Sequence, residues 1–370
     1  MGQYHRNDDA GPQKTSMKKS GVPITMTFRS LRADFEKLRK TAPAGVVDQS
    51  VVTLPDKSEQ GKDIHVIRIG KNPSMPVLMV GCHHAREWIS VEVPYLFAEF
   101  LVNNYGSDPR VKRIVDACDI WIIPMLNPDG HEHSVLVDRD WRKNRPKDPS
   151  RPSVDLNRNY ETAQWNITKG AFSDTASDET FRGKTPGFAL EVIALQNLIK
   201  KQKFKGLYDF HSFGRDIMYP WFGRTDPPPD QFQREMALHV KRVIDAKGKA
   251  ENIEYEAFQG VDLYVQAWGV TREEGRMPGN LKDFMIETVP EAIVTGLELE
   301  PASGDPRGFS LPESEIESTF NLHKAAMLTF LNCLDTIKKP VETAKLLLKE
   351  GKENNLVVFQ PECWRALANY

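Results

Sequence analysis

The sequence has almost no net charge, few cysteines and no long apolar run. Its 49 basic and 51 acidic side chains nearly cancel, whereas proteins that bind nucleic acids usually carry a large basic excess. Its four cysteines are too few and too scattered for a disulfide-built fold or a cysteine-type zinc module, although they allow up to two disulfides. No apolar run approaches the about 18 residues of a transmembrane helix. We therefore expect a globular protein whose partners include neither nucleic acid nor a membrane.

The N-terminal segment is polar and carries no recognisable targeting signal. A secretory signal needs an apolar core of about 7–15 residues, and residues 1–25 contain none. We expect a flexible polar leader over 1–25, one folded domain over 26–338 and an extension over 339–370. We expect the protein in the cytoplasm if Met1 is the native first residue, and outside the cell if the chain is a processed mature form.

Helix-like and strand-like patterns alternate along the chain. Apolar, β-branched stretches predict strands at residues 63–69, 76–81, 119–124 and 206–210. Apolar residues at helical spacing predict helices at 28–39, 88–101, 190–201 and 313–337. This alternation predicts an α/β fold, a single domain whose mixed, largely parallel central sheet is flanked by helices on both faces.

Two of the predicted strands end in polar clusters that contain metal-binding side chains. His84 and Glu87 stand three residues apart after one strand, and His211 ends another. Sites in open α/β sheets gather at the carboxyl ends of strands, and a catalytic zinc typically takes three histidine or carboxylate ligands. His83 is an alternative to His84, because neighbouring residues of a strand point in opposite directions and only one should face a metal.

A further histidine pair, His131 and His133, also resembles a chelator. It follows an Asn-Pro-Asp-Gly sequence at 127–130 that predicts a turn, and it lacks a third ligand nearby. We interpret it as part of a solvent-exposed loop.

A series of short motifs follows in a fixed order along most of the chain. They are His84–Ser90, Leu126–Gly130, Trp141–Arg145, Val154–Asn159, His211-Ser212, Tyr219-Pro220, Leu297–Leu299 and Gly308–Pro312. In their order and intervals they resemble the zinc metallocarboxypeptidases of the pancreatic carboxypeptidase A/B type, over about residues 26–338. The resemblance implies one zinc ion, held by His84, Glu87 and His211, in an enzyme that releases single amino acids from peptide and protein C-termini.

The resemblance also implies which residues assist the hydrolysis. It assigns Glu298 as the general base that takes a proton from the attacking water, and Arg142 as the cation that stabilises the oxyanion. Glu300 is the competing base, since it lies two residues further on and on the same face if the segment is a strand. The Leu-Glu-Leu pattern around Glu298 favours Glu298.

An enzyme that acts on C-termini must bind a free carboxylate, which a guanidinium does with two parallel hydrogen bonds. By resemblance, Asn157 and Arg158 hold this carboxylate, and Arg86 is a second arginine that contacts substrate. The segment from Asp138 to Arg158 carries seven basic and four acidic side chains, which agrees with such a role.

The sequence departs from the family pattern after Tyr264, the candidate for the family's mobile tyrosine. The loop that follows is longer, so the residue that lines the pocket for the C-terminal side chain is Lys282 or, with a shift of one residue, Leu281. A lysine there would favour acidic C-termini, and a leucine would favour apolar ones.

Our main hypothesis is a monomeric, zinc-dependent exopeptidase. One alternative is a related zinc hydrolase with a narrow target, such as cell-wall peptides or the glutamate tails of proteins. The other is a binding protein that keeps the scaffold and has lost catalysis.

Overall fold

The computed structural model describes residues 28–334, so the leader and extension predicted at the two ends lie outside the described residues. The α-helices are α1 Phe28–Thr41, α2 Ile89–Asn104, α3 Pro109–Ala117, α4 Pro128–Leu136, α5 Leu190–Gln202, α6 Gln231–Gly248, α7 Leu263–Trp268, α8 Arg272–Gly275, α9 Leu281–Thr288 and α10 Ile316–Cys333. The strands are β1 Thr53–Lys57, β2 Asp63–His65, β3 Ile67–Gly70, β4 Pro76–Gly81, β5 Asp119–Ile123, β6 Gly206–Gly214, β7 Asp216–Tyr219, β8 Glu256–Gln259 and β9 Ile293–Ala302.

Within the described residues, seven strands form one mixed sheet in the order β3-β5-β4-β6-β9-β7-β8. Neighbours from β5 through β4 and β6 to β9 run parallel, as do β7 and β8. The pairs β3–β5 and β7–β9 are antiparallel. The predicted α/β fold with a largely parallel sheet is confirmed.

Helices cover both faces of this sheet, as predicted. Alternate residues of β4 point to opposite faces. Val77 belongs to an apolar cluster that includes residues of α1, α2, α3, α6 and α10, whereas Leu78 belongs to a second cluster that includes residues of α5 and α9. Both residues are fully buried, and full burial of such a side chain contributes about 1.5–3 kcal/mol. None of the helices in residues 28–334 is both long enough and apolar enough to span a membrane.

The structure corrects three details of the predicted elements. The strand predicted at 63–69 is interrupted at Val66: β2 pairs with β1, and β3 pairs with β5 in the main sheet. The turn predicted at 127–130 is the start of α4, because the Asn127 side chain accepts a hydrogen bond from Gly130 and Pro128 takes the first helical position. The last helix begins as a short 3₁₀ turn and becomes α-helical at Ile316.

The order of the strands sets the position of the candidate site. Strands β4, β6 and β9 are parallel neighbours, so their carboxyl ends lie side by side at one edge of the sheet. The loop after β4 contains His84 and Glu87, His211 lies on β6, and Glu298 lies on β9. Residues far apart in sequence therefore meet at this edge.

Candidate active site

The chain turns sharply where β4 ends, and this turn carries His84 and Glu87. Cys82 has a φ of 57°, in the left-handed region. A Cβ at Gly81 would lie 2.0 Å from the carbonyl oxygen of Ser90, so the close approach of the two backbones requires glycine. The Glu87 amide donates a hydrogen bond to the His84 carbonyl at 3.3 Å. This tight turn directs both side chains toward β6.

Ligand atoms of His84, Glu87 and His211 converge on one point. His84 Nδ1 lies 2.6 Å from Glu87 Oε1, and His211 Nδ1 lies 3.1 Å from Glu87 Oε2. The two Nδ1 atoms lie 3.3 Å apart. All three side chains are buried. The three residues were proposed from the sequence, and the fold brings them together.

The hydrogen bonds of the two imidazoles fit a metal at this point. The Nε2 atom of His84 lies 3.2 Å from Asp155 Oδ1, and that of His211 lies 3.0 Å from Asp209 Oδ2. When each carboxylate accepts the ring proton at Nε2, each Nδ1 keeps a lone pair for a metal. Two facing lone pairs repel each other, and a metal ion between them would bind both. Zinc–nitrogen bonds of about 2.0–2.1 Å in a tetrahedral site place ligand atoms roughly 3.3 Å apart, in agreement with the separation of the Nδ1 atoms.

A second group, His83, Asp209 and His211, also has ligand atoms within 4.8 Å of one another. The Lys282 ammonium already lies 2.8 Å from Asp209 Oδ2, where it supplies the positive charge. His83 is held from its other side, because its Nε2 lies 2.8 Å from the Tyr160 hydroxyl. The group that contains His84 is therefore the better metal site.

Glu298 lies directly beside His211, and the Cα atoms of the two residues are paired between β6 and β9. Among the described residues, none donates a hydrogen bond to its carboxylate, which lines a cavity of about 610 Å³ together with the three candidate ligands. Burial, and next the nearby Glu87 charge, raise the pKa of Glu298. An unpaired carboxylate of raised pKa beside a metal site has the properties of a general base.

Glu300 has different surroundings, although it lies only two residues further along β9. The Tyr255 hydroxyl donates a hydrogen bond to its Oε1 at 2.8 Å, and His323 Nε2 lies 3.3 Å from its Oε2. Burial alone would raise the pKa of Glu300, but the contacts with His323 and Tyr255 lower it. The pairing of β6 with β9 becomes irregular between Leu299 and Ala302, so the two glutamates do not share one regular strand face.

Arg142 also lines this cavity and is anchored by Asp155. Its Nε and Nη2 lie 3.1 and 2.9 Å from Asp155 Oδ2, so neither bond uses Nη1. Burial opposes ionisation of Asp155, but the charges of Arg142 and His84 hold its pKa well below the ordinary value. The carboxylate thus supports both the guanidinium and the imidazole.

Asn157, Arg158 and Tyr264 form the next part of the wall. Arg158 Nη2 donates to the Tyr264 hydroxyl at 3.0 Å, while its Nε and Nη1 donate to the carbonyls of Ala171 and Asn157. Asn157 Nδ2 lies 3.4 Å from His211 Nε2. The Tyr264 ring packs against Trp268 with centroids 4.4 Å apart and the ring planes tilted by 32°, and Trp268 is 70% exposed at the cavity rim.

Arg86 lies at the mouth of the same cavity. Its Nη1 and Nη2 donate to the Glu179 carboxylate at 2.9 and 3.1 Å, and its guanidinium lies 4.4 Å from the Phe309 ring centroid. The Glu179 side chain is 59% exposed. A substrate carboxylate at this position would compete with Glu179 for Arg86.

The two candidates for the side-chain pocket have different positions. Leu281, the first residue of α9, is fully buried in the apolar cluster that includes residues of the sheet and of α5. Lys282 lines the cavity, although only 1% of its surface is exposed. Its ammonium contacts Asp209 and lies 4.9 Å from the centroid of the Phe222 ring.

A family model described as zinc carboxypeptidase matches residues 48–326 of this chain. The chain belongs to the zinc carboxypeptidase family. Metallocarboxypeptidase A from Trichophyton rubrum is 32% identical over 276 residues, which cover 70% of this chain and 60% of that protein. The carboxypeptidase A structure from Helicoverpa armigera is 23% identical, with a TM-score of 0.70 over 84% of this chain and 74% of the other, and it supports the fold.

Membership of the zinc carboxypeptidase family identifies zinc as the metal. The relatives of this chain include proteins that are named inactive. An inactive metallocarboxypeptidase ECM14 from Ajellomyces dermatitidis is 31% identical over 219 residues, which cover 55% of this chain and 36% of that protein. The chain spans about 60% of the length of the metallocarboxypeptidase A that it matches.

Within this zinc carboxypeptidase, the histidines at 131 and 133 do not form a solvent-exposed loop. His131 is fully buried on α4, with Nδ1 3.2 Å from the Ala85 carbonyl. His133 lies against Trp141, with ring centroids 4.8 Å apart. The sequence interpretation was wrong because the turn-like residues before them begin a helix.

Sequence reasoning missed the two carboxylates that hold the histidines. Asp155 lies inside a recognised motif, and Asp209 lies two residues before His211 on β6. A signal was present for Asp209: a charged residue within an apolar strand, spaced so that its side chain shares the face of a candidate ligand.

Proposed function

We propose that this chain is an active zinc-dependent carboxypeptidase that hydrolyses the C-terminal peptide bond of peptides and proteins and releases single amino acids. The observation that carries the proposal is the meeting of four side chains in one cavity. The converging ligand atoms of His84, Glu87 and His211 lie beside Glu298, whose carboxylate has no hydrogen-bond donor among the described residues.

His84, Glu87 and His211 would hold the zinc ion. His83 would not bind the ion, and its Nε2 contacts the Tyr160 hydroxyl instead. Zinc bound at this point would polarise the scissile carbonyl and lower the pKa of a water molecule toward about 7. Asp155 and Asp209 keep the ring protons on Nε2 and thereby orient the Nδ1 atoms toward the ion.

Glu298 would act as the general base. Its carboxylate takes a proton from the attacking water and returns it to the leaving amine, and such proton transfer contributes about 10²–10⁴ to the rate. Its position beside His211 supports this role. Glu300 is committed to Tyr255 and His323 and lines a different cavity.

Arg142 would stabilise the negative charge that develops on the carbonyl oxygen. Asp155 fixes the guanidinium through Nε and Nη2, so Nη1 is left for the substrate. A preorganised cation of this kind costs no reorganisation when the charge appears.

Asn157 and Arg158 would bind the free carboxylate of the substrate. Arg86 would contact the substrate peptide nearer the mouth of the cavity. Tyr264 bonds Arg158 at 3.0 Å, so an arriving carboxylate replaces or shares this contact. Lys282 would form part of the wall of the side-chain pocket, together with Met218, Phe222, Phe258 and Leu263.

Release of the C-terminal amino acid from blocked dipeptides tests the proposal. We expect hydrolysis that a chelator abolishes and added zinc restores, and no hydrolysis of matched dipeptides whose C-terminus is amidated. Hydrolysis that persists with chelator, or cleavage of the amidated substrates, would contradict the proposal.

The relative named inactive makes a binding protein on the same scaffold the second candidate function. Stoichiometric zinc with no hydrolysis over a broad panel of free C-termini would favour that candidate.

A further inference from the structure

Two similar series of contacts extend outward from the two histidines of the metal centre. His84 Nε2 is 3.2 Å from Asp155, and Asp155 is bound by Arg142 at 2.9 Å. His211 Nε2 is 3.0 Å from Asp209, and Asp209 is bound by Lys282 at 2.8 Å. In each series an imidazole contacts a buried carboxylate, and the carboxylate contacts a cation.

We propose that Asp209 and Lys282 are positioning residues for His211, and that the Lys282 ammonium is committed to Asp209 instead of the C-terminal side chain of a substrate. The inference rests on the metal ligands assigned in the proposed function. Asp209 fixes the ring proton of His211 on Nε2, and Lys282 makes it possible for Asp209 to remain charged in the interior.

Burial is the reason that Asp209 needs Lys282. Asp209 is fully buried, and its Oδ1 accepts no hydrogen bond within the described residues. An uncompensated carboxylate is strongly disfavoured in such surroundings. Apart from the two histidines His83 and His211, Lys282 is the one basic residue of the described chain within ion-pair distance of Asp209. Without the ammonium, Asp209 would be held less firmly as the acceptor for His211.

The surroundings of Lys282 show that its ammonium is already paired with a carboxylate of the protein. The ammonium contacts Asp209, lies 3.2 Å from His211 Nε2 and faces the Phe222 ring. Two further carboxylates, Asp216 and Glu256, line the same cavity. An acidic side chain would therefore meet a neutralised lysine and two negative charges. We expect substrates with an acidic C-terminal residue to be poorer than those ending in phenylalanine or leucine.

The test measures zinc affinity by competition with a chromophoric chelator, in Lys282→Met and Asp209→Asn. We expect each to weaken zinc binding by about 10–100-fold, the range typical of partners that orient a ligating histidine. Lys282→Arg, which keeps the charge, should recover most of the loss. Lys62→Met is the matched control, since Lys62 also pairs with a buried carboxylate, Asp129 at 3.0 Å, away from the cavity. It should leave zinc affinity unchanged.

The double variant Asp209→Asn with Lys282→Met guards against misfolding of a single variant, because it removes both charges together. Its zinc affinity should match that of the single variant that binds zinc more weakly, since the effects of residues that act as one unit do not add. Unchanged zinc affinity in Lys282→Met, or fully additive losses in the double variant, would overturn the inference.

Substrate preference gives the second readout, measured at saturating zinc with blocked dipeptides that end in Phe or Glu. We expect the wild type to prefer Phe and the ratio of the two kcat/KM values to change little in Lys282→Met. A loss confined to the Glu substrate, with zinc affinity unchanged, would show that Lys282 serves the substrate. If no variant hydrolyses any peptide, the proposed function fails, and the zinc affinities still decide this inference.

Discussion

Glu298 and Glu300 belong to the same strand and differ in almost every physical respect. Glu298 lines the cavity of the metal centre, its carboxylate has no hydrogen-bond donor among the described residues, and its pKa is raised. Glu300 is 5% exposed, accepts a hydrogen bond from Tyr255, contacts His323 and has a lowered pKa. A carboxylate that the fold leaves unsatisfied beside a metal site is available for proton transfer, whereas a satisfied one stabilises the fold.

The largest effect that the comparison predicts is on turnover. Glu298→Gln keeps the shape of the side chain and removes its basicity, so kcat should fall by about 10²–10⁴. Zinc content should remain stoichiometric, because the ligand atoms belong to other residues. Steady-state kinetics and metal analysis of one sample check this. Loss of zinc together with activity would assign Glu298 a structural role.

Arg142→Gln should give the next largest fall in kcat. It tests whether turnover needs a second residue of the cavity besides Glu298. Loss of an oxyanion donor typically lowers kcat by about 10²–10³. Asp155 also loses the partner that neutralises it, so zinc affinity should fall as well. Measuring kcat at saturating zinc separates the two contributions. A kcat equal to that of the wild type under these conditions would remove Arg142 from the mechanism.

On the other side of the comparison, Tyr255→Phe should affect stability and leave turnover unchanged. The substitution removes the hydrogen bond to Glu300 Oε1 and leaves a buried acceptor unsatisfied, which costs about 1–3 kcal/mol. Urea unfolding at a fixed zinc concentration measures the change in the free energy of unfolding. A large fall in kcat without a loss of stability would mean that the Tyr255–Glu300 contact serves catalysis.

The smallest predicted effect concerns pH. Asp216 is paired with Glu298 in the register of β7 and β9, and its charge is among the causes that raise the pKa of Glu298, after burial and the Glu87 charge. A base must be deprotonated to act, so kcat/KM should rise with pH on its acid limb. Asp216→Asn removes one negative charge, lowers the pKa of Glu298 and should shift this limb to lower pH. A shift to higher pH would contradict the assignment.

The sheet could be predicted, and the candidate ligands proposed, because their sequence signals are local. His84 and Glu87 are close in sequence, and the buried strands are continuous apolar runs. The supporting contacts were not predictable in the same way. Asp209 and Lys282 are 73 residues apart in sequence, and only the packing of α9 against the sheet brings them together.

The difference between the surroundings of Glu298 and Glu300 could not be predicted from the sequence either. Regular strand geometry predicts that residues two apart share a face, and on that basis Glu300 stayed a competitor for the role of base, although the local pattern favoured Glu298. The irregular pairing of β6 with β9 after Leu299 separates the two side chains, and the partners of Glu300 are Tyr255 and, on α10, His323. Neither feature has a local signal. The helix that starts at Pro128 did have a local signal, an asparagine N-cap followed by proline, but the same residues also fit a turn.

The ratio of kcat between Glu300→Gln and Glu298→Gln, measured on a blocked dipeptide at equal zinc content, tests the central claim most directly. We predict that Glu300→Gln keeps activity close to that of the wild type and that Glu298→Gln is slower by about 10²–10⁴. The opposite order would show that Glu300 is the base. Absence of hydrolysis in the zinc-loaded wild type would contradict the proposal that this member of the family is an active enzyme.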